Sequence, residues 1–282
     1  MTAVPLLSTD GTVTALELRE PVVAERPTTP LTSRTAYAAA HVVPKPWAEN
    51  VPGAPAELDW DATLAYRHHV WSYGLGVADA MDTAQRNMGL DTTATRELIT
   101  RSAAEAASVG GALVVGVNTD HLSDETVSLD TVADAYLGQL AFAEDAGAGT
   151  VIMASRHLAR AAQSADDYRR VYDRVLSAAQ SPVVLHWLGT AFDPSLEGYF
   201  GSSDVAEASD TLLRVMTDHV DHVAGVKMSL LDADAEIFVH TENGLLGVGP
   251  PPDRREAHRA LGPELVSRAL GVLHREKFVP QG

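Results

Sequence analysis

"AEDAGAGTVIMASRHLARAAQSADDYRRVYDRVLSAAQSPVVLHWLG", residues 143–189, decides the fold. It reads as the end of a helix, a strand, a second helix and a second strand. Gly147 stops a helix in which Val132, Tyr136 and Leu140 recur at i, i+4 and i+8. The apolar run at 150–155 follows as a strand. Ser164 and Asp167 form an S-x-x-D capping signal. The helix behind it stacks Tyr168, Tyr172, Val175, Leu176 and Ala179 on one stripe. Pro182 then opens "VVLHWLG". Both strand runs are continuously apolar rather than alternating, which suits parallel strands buried on both faces.

The same alternation extends in both directions. Toward the N-terminus lie "YAAAHVV" (37–43), a helical pattern at 61–72 ended by Gly74 and Gly76, and the strand run "LGVADAM" (75–81). Asp91 is a good N-cap for "TTATRELITRSAAEAAS" (92–108), and "GALVVGVN" (111–118) is a buried-strand run. Toward the C-terminus a helix near 205–220 leads into "HVAGVKMS" (222–229). Six strands separated by five helical patterns predict an α/β fold, a (β/α)8 TIM barrel. A doubly wound open sheet is the alternative, but no G-x-G-x-x-G follows the first strand. The residues after Lys227 make only a minimal completion: a helix at 232–240, a strand at 245–249, a helix at 253–274 and a strand at "KFVP". No proper eighth helix remains. The pattern from about 233 is atypical, and whether the barrel is truncated or remodelled after its sixth strand stays open.

Residues 1–34 stand apart from the barrel domain, 35–282. "VPLLSTDGTVTALEL" reads as an N-terminal β-hairpin turning at Asp10-Gly11. The Pro- and Thr-rich stretch at 19–34 reads as a linker wrapping over the main domain.

Composition narrows the function. The net charge of −17 argues against nucleic acid or an anionic membrane as partner. The absence of cysteine excludes disulfides, thiolate nucleophiles and Cys-ligated metal. There is neither a long apolar span nor a secretory leader, so the expected location is cytoplasmic.

In a parallel barrel, chemistry gathers where strands end. The ends carry His41 and Lys45; Asp79, Asp82 and Thr83; Asn118, Asp120 and His121; Arg156 and His157; His186; and Lys227 with Ser229. His186 and Lys227 stand out because they sit within or against apolar runs. Only three lysines stand against 18 arginines, and lysine alone of the two can lose its proton and attack a carbonyl. Burial would favour the free amine. Equally open are a lysine paired with a carboxylate such as Asp79 and one that holds an anionic substrate. His186 reads as a proton shuttle or as a core histidine. His41, His121 and His157 with Asp79 or Asp120 would be the ligands of a metal, but no H-x-H or H-x-x-x-H spacing supports one, and no cofactor is expected.

The order "GALVVGVN", "LAFAEDAGAGTVIMAS", "SADDYRRVYDRVLSAAQSPVVLHWLG", "HVAGVKMS" resembles the dihydrodipicolinate synthase and N-acetylneuraminate lyase family, in an uncharacterised branch, from about residue 37 to about 232. "GVKMS" matches that family's Schiff-base strand, so the resemblance places the imine on Lys227. It implies a class I aldolase or lyase acting on a small 2-oxo acid, a carbon–carbon or carbon–oxygen lyase in a homo-oligomer. The family's usual tyrosine at the end of the fifth strand is replaced by His186. Its G-T-T-G-E carboxylate loop corresponds to "MDTAQRNMGL", where Thr83 alone matches. Thr83, Asp82, Arg86, Asn118 and Ser229 are the expected substrate-binding residues, with Arg86 suited to gripping a carboxylate. A non-catalytic, degenerate barrel and a metal-dependent hydrolase or isomerase are the alternatives.

Overall fold

The computed structural model describes residues 3–20, 25–29, 36–49, 51, 56–81, 86 and 89–242. The predicted elements beyond 242 lie outside these. The chain divides into two compact units, Met1–Pro30 and Leu31–Gly282.

In the first unit β1 (Ala3–Leu7) and β2 (Val13–Glu17) pair antiparallel, Ala3 opposite Glu17 and Leu7 opposite Val13. Asp10 closes the turn by accepting from the Thr12 amide and hydroxyl. Gly11 takes a φ of 83°, which L-residues resist.

The second unit is built on a parallel six-stranded sheet in the order β3-β4-β5-β6-β7-β8. Its strands are β3 (Tyr37–Ala39), β4 (Gly76–Asp79), β5 (Leu113–Val117), β6 (Gly149–Ile152), β7 (Val183–Leu188) and β8 (Val223–Ser229). Neighbours in sequence are neighbours in space, and the sheet curls as a half-barrel. The helices between strands are α1 (Trp60–Trp71), α2 (Thr92–Val109), α3 (Leu129–Asp145), the short α4 (Arg156–Ala161), α5 (Ala165–Ala178) and α6 (Val205–Asp218), with α7 (Ala233–Glu242) after β8. Capping explains several starts. Asp59, Asp91, Ser128, Ser155 and Ser164 each accept a hydrogen bond from an amide in the first turn of their helix. Among the described residues no helix is long and apolar enough to cross a membrane.

Two apolar layers cover the sheet. On the helix side Val115, Ile152, Leu185 and Val226 pack against Tyr136, Leu140, Tyr172, Leu176 and Met216. On the concave side Val114, Val151 and Val184 meet Met81 and Met153, with Ala224 against them. One local irregularity matters for the site. Val183 pairs with Val223, but Val184 pairs with Gly225, so Ala224 is an extra residue and β8 is bulged. Without the bulge, strict alternation would turn Lys227 to the helices. With it, Leu185 faces Val226, His186 faces Lys227, and Leu188 faces Ser229. Val226 and Met228 go to the helix side, and Lys227 shares the concave side with His186.

Candidate active site

Lys227 is therefore a cross-strand neighbour of His186 near the C-terminal ends of β7 and β8. His186 is buried, at 1% exposure, and Lys227 is half-buried. His186 Nε2 lies 3.1 Å from Ser229 Oγ, so Ser229 fixes the ring from the same strand that carries the lysine. An amine and an imidazole on adjacent strands of one face can form a covalent bond to a carbonyl and move its protons.

Asp79, the carboxylate weighed as a partner for Lys227, is taken elsewhere. It is fully buried and accepts from Arg67 Nε and Nη2, at 2.9 and 2.6 Å, and from Ser102 Oγ, at 2.6 Å. Arg67 also donates to the carbonyls of Ala40, His41 and Thr63. This pair ties the end of β3 to α1, β4 and α2.

Arg86 bridges the ends of β4 and β5. Its Nε donates to Ala80 O, Nη2 to Gly116 O, and Nη1 to Asn118 Oδ1 and Gln139 Oε1. Burial pulls its guanidinium down to about 10, with the charge of Asp120 working the other way. Asn118 Nδ2 in turn donates to Asp120. Arg86 and Asn118 thus meet each other, three strands away from β8. Asp82 and Thr83 lie outside the described residues.

A third cluster was not anticipated. Thr119 Oγ1 sits 2.7 Å from Ser155 Oγ and 2.8 Å from His157 Nδ1. The Ser155 amide donates to Tyr199 Oη, which lies 3.2 Å from Tyr172 Oη. Burial lowers the His157 pKa below its ordinary value. Burial likewise holds Tyr172 well above its own, and Tyr199 above its own. The sequence marked His157 only as a strand-end residue and Tyr172 only as part of a helix stripe; the cluster's members come from the segments after β5 and β6, from α4 and α5, and from the segment after β7. Among the described residues, no group of three His, Asp or Glu side chains is placed to hold a metal ion. His121 bonds Gln139, and His157 bonds Thr119.

A family model described as "Protein of unknown function (DUF993)" matches residues 4–243. No curated protein matches the chain. Among solved structures, PhdJ bound to a substrate intermediate superposes with a TM-score of 0.51 at 15% identity, covering 83% of this chain and 65% of that one. A dihydrodipicolinate synthase from Agrobacterium tumefaciens str. C58 gives 0.49 at 14% identity, over 75% and 60%. N-acetylneuraminate lyase from Mycoplasma synoviae gives 0.41 at 9% identity, over 89% and 93%. The chain thus spans 60% to 65% of the length of the first two. At these identities the likeness concerns the fold alone.

Proposed function

The chain belongs to the DUF993 family, and we propose that it is a class I lyase that binds a small 2-oxo acid as a Schiff base on Lys227. The observation that carries this reading is the bulge at Ala224, which turns Lys227 onto the concave face beside His186. The neutral amine adds to the ketone carbon to give a carbinolamine. Protonation of the hydroxyl expels water and leaves an iminium. The iminium accepts the electron pair of a neighbouring C–C bond or C–H bond, giving an enamine. His186, oriented by Ser229, carries the proton to and from the substrate in these steps. Reprotonation of the enamine and hydrolysis return the free lysine.

Borohydride reduction in the presence of pyruvate and longer 2-oxo acids tests this. Mass spectrometry of the digested protein should find the reduced adduct on the peptide containing Lys227 and none in Lys227→Met. Absence of an adduct with every acid would overturn the reading.

A further inference from the structure

Arg86 is a buried cation that the Schiff-base chemistry leaves unused. It is 5% exposed. All four of its side-chain hydrogen bonds go to neutral oxygens; the charge of Asp120 attracts it, but among the described residues that carboxylate bonds Asn118 and no carboxylate forms a direct ion pair with Arg86. A buried charge of this kind is ordinarily matched by an opposite one. A guanidinium has five N–H donors. One is used on Nε, two on Nη1 and one on Nη2, so one Nη2 N–H remains. Arg86 lines a cavity of about 220 Å³ between α2 and α3, over the ends of β4 and β5. Leu90, Ile99 and Phe142 supply its apolar wall.

Gly138 adds an independent observation. It lies in the interior of α3, where glycine costs about 1 kcal/mol relative to alanine. It lines the same cavity, and a Cβ built there would meet nothing within 4 Å. Gly138 is itself exposed, so it marks where the cavity opens to solvent, a place that a larger side chain would cover.

We propose that this cavity binds a small monocarboxylate with an apolar tail, the carboxylate on the remaining Arg86 Nη2 donor and the tail against Leu90, Ile99 and Phe142. Thr95, whose buried Oγ1 has no hydrogen-bond partner among the described residues, stands on the same wall and can donate to the second carboxylate oxygen. Asp91 and Asp120, also on the wall, disfavour a phosphate dianion. The cavity is smaller than the roughly 300–1,000 Å³ typical of pockets for drug-sized ligands, which sets the scale of the tail. The site lies three strands from β8 and does not depend on Lys227.

Isothermal titration with butyrate and benzoate, with butyramide, benzamide and inorganic phosphate as controls, tests the proposal. At least one carboxylate should bind, and its amide should bind about tenfold or more weakly. Lys227→Met should bind as the parent does, which separates this site from the proposed imine. Gly138→Leu should abolish binding while melting no lower than the parent, because the leucine enters empty space on a helix. Equal binding of acid and amide, binding of phosphate instead, unimpaired binding by Gly138→Leu, or a lower melting temperature of that variant would each overturn the proposal. No binding of either carboxylate at millimolar concentration would do the same.

Discussion

Replacing Arg67 by methionine should remove a large share of the stability of the barrel unit. Arg67 and Asp79 are both fully buried, and methionine keeps much of the apolar stem while deleting the charge. Five hydrogen bonds go with it: two to Asp79 and one each to the carbonyls of Ala40, His41 and Thr63. Among the described residues the Asp79 carboxylate then keeps only the Ser102 hydroxyl. Breaking a buried pair from one side costs about 3–5 kcal/mol, because the other charge is stranded. Single domains have about 5–15 kcal/mol in total. The loss should read as a lower urea midpoint by circular dichroism. Asp79→Asn alone strands the guanidinium and should also be costly. The double variant Arg67→Met/Asp79→Asn strands no charge and should be more stable than the two single losses summed, by about 2 kcal/mol or more. A loss below about 1 kcal/mol for Arg67→Met, or simple additivity in the cycle, would refute the claim that the pair holds the strand ends together.

Three further outcomes follow from the geometry. Gly116→Ala should destabilise by about 1–3 kcal/mol, since its Cβ would lie 2.5 Å from both Ala80 O and Met153 Sδ; an unchanged urea midpoint would count against the close approach of β4 and β5. His157 is pulled below 6.5 chiefly by burial, so the unfolded chain takes up that proton first as pH falls. Its contribution is complete above pH 6.5 and is lost as the pH drops toward the lower folded value. Melting temperatures from about pH 8 to about pH 5 should therefore fall less steeply in His157→Gln than in the parent, and parallel curves would refute this. His186→Gln should keep the borohydride adduct on Lys227 but slow deuterium exchange into the methyl group of pyruvate by about 100-fold or more. Unchanged exchange would remove His186 from proton transfer.

The sequence by itself determined the order of the strands and of the main helices through β8, though not the short α4. Ser164 caps α5 as its spacing predicts, and Tyr168, Tyr172, Val175 and Leu176 are buried along the expected stripe. Asp91 caps α2, and Asp10 closes the hairpin turn. Each of these depends on residues within a few positions of one another, so local pattern suffices. Tertiary structure alone decided which side chains meet. Thr119, Ser155, His157 and Tyr199 come together from separate elements, and Arg86 is held at two strand ends by the nearby carbonyl of Ala80 and the distant one of Gly116. Most of all, the apolar run "HVAGVKMS" says that Lys227 ends a strand but not which way it faces. That depends on the register of β8 against β7, where one extra residue at Ala224 reverses every side chain beyond it. A strand's own composition is the same in either register, so only the pairing with its neighbour chooses between them.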